Sequence, residues 1–429
     1  MTQFDTTNDM FPVQVRFVDL VGGVSAVLDL ISPVVVGHHQ RTAYIALHIA
    51  RAAGATMEEQ ADIALAALLH DVGAFTMRTR LDTLCFDTDD VKHMETGYRL
   101  LCHAPGFERL ARLIRRHHVP AVRFDGLTED DGRELWMSNI IQMADRIDVL
   151  APRKTHVAPD VALVRKRLNA GRGRMFLEDI HDSFSHHLEA REFWTGLESC
   201  ARFESIREAC AVRSQLLPLN ELVNVSRVIA QLVDFRSRFT ATHSQGVAAV
   251  AMELGRMAGL DETEATLLQV AGGLHDVGKL AIPSELLEKP GPLDDEEYGV
   301  MKGHAYYSNT VLSSIPGLKD VGAWGARHHE RLDGTGYPFQ LGASKLDLGA
   351  RIMGVADVFT ALTEDRPYRH GMHRREVEGV LYDMGLSGAL DKEVVRLALD
   401  DYQHLDTTRL EAQASARQSF EAFAMGCEA

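Results

Sequence analysis

Sliding the 429-residue sequence over itself by 205 positions brings His38 onto His243, Arg51 onto Arg256 and Gly54 onto Gly259. The same shift lays LHDVG at 69–73 on LHDVG at 274–278. Thirty-two residues separate His38 from His70, and thirty-two separate His243 from His275. Beyond a length change the register returns: His93, Pro105 and His117 are spaced twelve and twelve, as are His304, Pro316 and His328. ADRIDVLA around Asp145 then answers ADVFTALT around Asp357. One His-Asp pair can recur by chance, but the ordered series His, His-Asp, His, His-His, Asp points to a tandem duplication. Whatever fold one copy takes, the other takes too. The copies lie at roughly 12–150 and 216–405, which divides the chain into a first domain (1–150), a connection (151–215), a second domain (216–405) and a tail (406–429).

The local pattern is helical throughout. HSQGVAAVAMELGRMAG sets Val247, Val250, Ala251 and Leu254 on one stripe and closes on Gly259, a suitable residue just past a helix end. The next segment opens on Asp261 as N-cap, with acidic residues in the first turn. In the connection, apolar residues recur at helical spacing around Val161–Leu168 and Phe176–Leu188, broken by AGRG. Alternating β-branched runs are scarce, so the expected fold is all-α: tandem helical bundles joined by a helical connection. The tail after about 405 reads as a peripheral helix.

A net charge of −16 argues against a nucleic-acid polymer or a membrane surface as partner, while leaving room for a small anion in a local cationic pocket. Cys85, Cys102, Cys200, Cys210 and Cys427 form no CxxC pair, which fits reduced thiols. The polar N-terminus lacks a basic-then-apolar signal layout, and FVDLVGGVSAVLDLISPVVVG is interrupted by Asp19 and Asp29. Both point to a cytoplasmic protein without a membrane span.

GGLHDVGKLAIP, 272–283, admits two chemistries. As a phosphate-cradling loop it fails: Leu280 stands where a Ser or Thr hydroxyl must reach magnesium, and the segment interrupts a helical pattern, not a strand-to-helix turn. As part of a metal site it gathers company: His243, His275, Asp276, His304, His328, His329 and Asp357. Imidazole with carboxylate suits iron, manganese, zinc or nickel better than magnesium or calcium. If Asp276 bridges two ions, His243, His275 and Asp357 can complete one, and His304, His328 and His329 the other. Two such ions can stabilise both the attacking and the leaving oxygen of a phosphoester.

These residues resemble the HD superfamily of metal-dependent phosphohydrolases, and the second copy resembles its HD-GYP branch. The motifs that carry the resemblance are HDVGKLAIP at 275–283, HHERLDGTGYP at 328–338 and EDRPYRH at 364–370. It spans about 190 residues of the second half; the plain HD resemblance of the first half covers about 135 more. The family implies hydrolysis of cyclic di-GMP to pGpG, often onward to GMP, with the second cleavage left open here, and two divalent metals, iron first and manganese as the alternative. It implies Asp276 and Lys279 as catalytic residues, and Lys279, Tyr337, Arg366 and Arg369 as substrate-binding groups. Some relatives carry a glutamate four residues before the first histidine and hold three metals; Phe239 stands there, so two are expected. Asp333, Gly334, Gly336 and Pro338 read as loop formers, and Glu330 as a partner orienting a histidine.

The first copy keeps His38, His70, Asp71, His93, His117, His118 and Asp145 as a second metal-binding set, with His39 an alternative that the repeat register disfavours. Ala74 stands opposite Lys279, and both the GYP loop and an Arg-Pro-Tyr-Arg match are missing. A metal-holding regulatory domain leads, ahead of a structural relic and a second hydrolase. The expected function is therefore a cyclic-dinucleotide phosphodiesterase, with cyclic di-GMP first and cyclic GMP-AMP next. A di-iron HD-type oxygenase is the alternative from another class. A homodimer is left open.

Overall fold

The computed structural model describes residues 14–30, 36–74, 92–123, 128–151, 160–213, 216–236, 242–365 and 370–425. Among them every extended element is helical, and β-structure is limited to three isolated bridges. The fold is all-α.

The duplication is visible helix by helix. The first copy contains α1 (Phe17–Asp29), α2 (His38–Ala52), α3 (Met57–Leu69), α4 (Lys92–Leu101), α5 (Glu108–Arg116) and α6 (Glu129–Leu150). Four helices, α7 (Val161–Gly171), α8 (Glu178–Phe184), α9 (Arg191–Glu198) and α10 (Arg202–Ala209), make the connection. The break expected at AGRG falls there: α7 ends at Gly171, and Gly173 has φ +68°. The second copy runs α11 (Leu219–Asp234), α12 (His243–Met257), α13 (Glu262–Leu274), the short α14 (Ser284–Leu287), α15 (Asp295–Ser314), α16 (Lys319–Ala326) and α17 (Leu348–Thr363). Then α18 (Arg374–Leu386), α19 (Lys392–Asp400) and α20 (Tyr402–Met425) complete the chain.

Repeated chemistry makes repeated helices. Thr56 caps α3 and forms a capping box with Glu59; Asp261 caps α13 and forms one with Glu264. Each box satisfies two backbone donors that the first helical turn leaves unpaired. Both helices then end at the His of LHDVG, where His70 and His275 are C-caps. On α12, Val247, Val250, Ala251 and Leu254 are fully buried, and Gly259 takes φ +87°, as the stripe and the glycine predict.

The early apolar stretch is α1, buried on nearly every side. A helix apolar all round belongs inside a protein. It packs on α2, α3, α15 and the 3-10 turn Val277–Ala281, so it lies between the copies. Its charged exceptions are paired: Asp19 with Arg207 at 3.0 Å, and Asp29 with His39 at 2.6 Å. Among the described residues no helix is long and apolar enough to cross a membrane. Cys102, Cys200 and Cys210 are free thiols.

The glycine of HDVG fixes how the site is assembled. A Cβ on Gly278 would come 2.0 Å from His304 O and 2.7 Å from Ser308 N; one on Gly73 would come 2.1 Å from His93 O. In each copy the turn carrying His-Asp therefore lies directly on the helix that carries the next histidine. Gly278 N also donates to Ser308 Oγ at 2.9 Å. Gly278→Ala is expected to force α15 off the turn, with a loss of at least ~1–3 kcal/mol from overpacking. A thermal melt should register a drop of several degrees; an unchanged melting temperature would show that α15 shifts freely.

Candidate functional site

In the second copy, five elements deliver the predicted side chains to one buried point. His243 is the first residue of α12, and His275 and Asp276 follow α13. His304 projects from α15, His328 and His329 follow α16, and Asp357 comes from α17. His243, His275, Asp276, His304, His328 and Asp357 are all buried, and the His329 side chain keeps 29% of its exposure.

Backbone carbonyls fix the orientation of the rings. The Nδ1 atoms of His275, His304 and His328 each lie 2.6 Å from the carbonyl three residues earlier, that of Gly272, Met301 and Gly325. A carbonyl can only accept, so each Nδ1 carries the proton and each Nε2 turns a lone pair into the pocket. His243 differs: Nδ1 faces Glu364 at 3.1 Å, and Nε2 faces Asp357 Oδ1 at 3.1 Å. Asp276 divides its oxygens between two sets. Oδ2 lies 3.1 Å from His275 Nε2, while Oδ1 lies 3.4 Å from His304 Nε2 and 4.0 Å from His328 Nε2.

His275 Nε2, His304 Nε2 and Asp276 Oδ1 are buried without a hydrogen-bond partner. Leaving such atoms unmatched costs roughly 1–3 kcal/mol each, and more for a charged group. Converging lone pairs on neutral imidazoles and carboxylates are what a transition-metal cation satisfies. The atoms fall into two groups compact enough for an ion each, His243/His275/Asp276 and His304/His328/His329. The donor set thus fits two divalent cations sharing Asp276, with Asp357 beside His243 and 3.9 Å from His329 Nδ1.

The local electrostatics divide the rings: two are held neutral, while the carboxylates favour positive charge at His243 and His275, where a cation would otherwise supply it. Burial lowers His304 to about 3 and takes His328 well below the usual imidazole range, keeping both neutral. Burial also opposes charge on His243, but Glu364 and Asp357 outweigh it and push the ring up to about 10. Against its own desolvation, Asp276 is held well below the usual carboxylate range by His275 and Lys279. Lys279 Nζ sits 2.5 Å from Asp276 Oδ2, with 19% of its side chain exposed. This contact, with the helix-end and 3-10 setting of the motif, disposes of the phosphate-loop reading.

The GYP loop folds back on the paired histidines. Tyr337 N donates to His329 O at 3.1 Å, and the Tyr337 ring lies 4.6 Å from the His329 ring. A Cβ on Gly336 would come 2.4 Å from Arg331 N, and Asp333 Oδ1 accepts from both Thr335 N and Thr335 Oγ1. Glu330 departs from expectation. Its carboxylate accepts from Phe339 N at 2.6 Å and Leu341 N at 2.8 Å, so it ties the loop instead of orienting a histidine. Two amide donors aligned on one carboxylate win over a single ring nitrogen. Arg366, Arg369 and Phe239 lie outside the described residues.

Several supporting groups went unread in the sequence. Glu364, at the head of EDRPYRH, holds His243; Asp234 accepts from Ser244 N and Oγ at 3.1 and 2.9 Å at the start of α12. Arg236 donates to Lys279 O, Ile282 O and Ser284 Oγ, binding the turn that carries Lys279. The helix expected to be peripheral, α20, packs along α12. Its buried Gln413 donates to Glu364 Oε2 at 3.2 Å and accepts from Arg409. Phe420 and Phe423 close on Phe235 at 5.2 and 5.3 Å. Only the motif around Glu364 gave a local signal; Gln413 is 49 residues further on, in an ordinary helical pattern.

The first copy assembles the same set. Asp71 Oδ2 lies 3.8 Å from His38 Nε2 and 3.5 Å from His70 Nε2; Asp71 Oδ1 lies 3.4 Å from His93 Nε2 and 3.8 Å from His117 Nε2. Asp145 Oδ1 is 3.5 Å from His38 Nε2. His38 Nδ1 is committed to Asp148 at 2.7 Å and His70 Nδ1 to Ala67 O at 2.8 Å, so their Nε2 atoms meet at 3.3 Å with room for one proton between them. Burial opposes charge on His38, but Asp148 and Asp71 push it up to about 10. His39 points elsewhere, to Asp29.

Two family models, each described as an HD domain, match residues 35–152 and 227–394. The chain is 32% identical over 385 residues to the 3'3'-cGAMP-specific phosphodiesterase 1 of Vibrio cholerae, covering 86% of this chain and 88% of that protein. It is 38% identical over 174 residues to the cyclic di-GMP phosphodiesterase response regulator RpfG of Xanthomonas campestris, covering 39% of this chain and 46% of that one. A solved cyclic GMP-AMP specific phosphodiesterase of V. cholerae has a similar fold, with a TM-score of 0.60 at 20% identity over 94% of this chain and 98% of that chain.

Glu364→Ala removes the acceptor that fixes His243. Metal affinity, read by competition with a chelator, should fall ~10–100-fold. Gln413→Leu should move it the same way by less. Unchanged affinity in both variants would disconnect α20 and Glu364 from the centre.

Proposed function

The chain belongs to the HD superfamily of metal-dependent phosphohydrolases, and on that premise we propose that it hydrolyses a cyclic dinucleotide at the second-copy site. The observation that carries this is the buried convergence of imidazole Nε2 lone pairs on a carboxylate whose two oxygens serve two groups of ligands. A lysine stands at its rim. His243, His275, Asp276 and Asp357 would hold one divalent cation, and His304, His328, His329 and the second oxygen of Asp276 the other. Iron is the first candidate and manganese the second, since the ligands are borderline nitrogen and hard oxygen. When bound, such cations polarise phosphoryl oxygen and water.

The chain's own groups supply the rest. Lys279 stays charged: burial opposes its charge, but Asp276 and the other nearby carboxylates more than compensate. It therefore offers a point charge to a non-bridging phosphate oxygen while holding Asp276 in place. Tyr337 and the partly open His329 give an aromatic face at the mouth, suited to a base or ribose.

The sequence reading put cyclic di-GMP first. The similarity that runs through both copies is instead to an enzyme specific for 3'3'-cGAMP, whereas those to the cyclic di-GMP phosphodiesterases of Xanthomonas campestris and Pseudomonas aeruginosa extend over 39% and 32% of the chain. We therefore place 3'3'-cGAMP first and cyclic di-GMP second.

Metal-loaded protein should convert 3'3'-cGAMP to a linear dinucleotide faster than it converts cyclic di-GMP, with products resolved by chromatography. Asp276→Ala should abolish turnover; Lys279→Ala should slow it ~10²–10³-fold while metal content stays at the wild-type level. Failure to cleave either dinucleotide after loading with iron or manganese would sink the assignment.

A further inference from the structure

The two copies differ in where they keep their positive charge. In the second copy the residue after the last aspartate is Val358, and the cation is Lys279 at the rim. In the first copy Ala74 replaces the lysine, and the residue after Asp145 is Arg146, with 1% exposure among the most buried large side chains of the protein. Its Nη2 lies 3.0 Å from His118 Nδ1, 3.3 Å from His118 Nε2 and 3.5 Å from Asp145 Oδ2. A guanidinium can only donate, so the His118 lone pair that a cation would need is already taken.

We propose that Arg146 is a built-in cation standing in for the second metal, so that the first copy holds one divalent ion, on His38, His70, Asp71 and Asp145. The charge balance agrees. Around the first cluster stand Asp71, Asp145 and Asp148 with two guanidinium groups, Arg146 and Arg41, the latter 2.6 Å from Asp148. Around the second, among the described residues, stand Asp276, Asp357 and Glu364, with Asp234 behind them, and one ammonium group, Lys279. A second dication in the first pocket would face Arg146 across His118. On one side Asp145 Oδ1 is buried without a hydrogen-bond partner and the Nε2 atoms of His38 and His70 meet at 3.3 Å. On the other, Asp71 Oδ1 is also unpartnered and His93 Nε2 meets His117 Nε2 at 3.3 Å, and it is the contact of Arg146 with His118 that takes the fourth ligand from that group. A one-ion centre lacking Lys279 and the GYP loop cannot clamp both oxygens of a displacement, so this copy serves as a structural or regulatory metal domain.

The inference rests on the metal reading of both clusters, and metal counting on the full chain tests it. By elemental analysis, Asp71→Ala should lose one metal per chain relative to wild type, Arg146→Met should gain one, and Arg146→Lys should match wild type. An unchanged count in Asp71→Ala, or a loss of two, overturns the proposal, as does an Arg146→Met that folds and gains nothing. If Arg146→Met does not fold, electron paramagnetic resonance of manganese-loaded Asp276→Ala decides. With the bridge of the second copy removed, only uncoupled Mn(II) should appear, and an exchange-coupled pair would have to come from the first copy. Failure of the reading itself would look different: Asp276→Ala would retain every metal that wild type holds.

Discussion

The structure hangs on one constraint: histidine rings whose Nδ1–H groups are already spent. Carbonyls three residues back take that proton from His275, His304 and His328 in one copy and from His70 and His117 in the other. Every such ring then aims a lone pair at a carboxylate inside a pocket without bulk water. Lone pair against lone pair is repulsive, and burial removes the solvent that would screen it. Something positive has to sit there, and helix ends, turn glycines and the partners of His243 and His38 all serve to keep that place.

Local geometry explains how a sequence can encode this twice. Thr56 and Asp261 start α3 and α13 with matching capping boxes, so both helices end at His70 and His275 in the same rotational phase. Gly73 and Gly278 then let the following helix ride against the turn, delivering His93 and His304. The duplication conserves a set of distances, and where the copies diverge, at Ala74 against Lys279 and Arg146 against Val358, the divergence redistributes charge without changing the frame.

Much of this was legible in the sequence because it is periodic or adjacent. The helical class and the break at AGRG rest on spacing that a helix or turn imposes, and so does the convergence of the second-copy histidines and aspartates and of His38 in place of His39. Long-range polar partners were not legible. Gln413 reaches Glu364 only because α20 lies along α12, and Glu330 serves two loop amides only because Gly336 lets the GYP loop close on it. Arg146 carries no signal of its own, since nothing in ADRIDVLA distinguishes a buried guanidinium from a solvated one.

If a cation is what reconciles these lone pairs, the folded state must be stabilised by it. The direct measurement is thermal unfolding of chelator-stripped protein titrated with Mn(II) or Fe(II) under anaerobic conditions. The account predicts a melting temperature that climbs with metal concentration as mass action requires, about 2.7 kcal/mol at a hundredfold excess over Kd for each site. A melting temperature indifferent to either metal up to millimolar concentration would contradict it, leaving a helical duplicate whose histidines are merely packed.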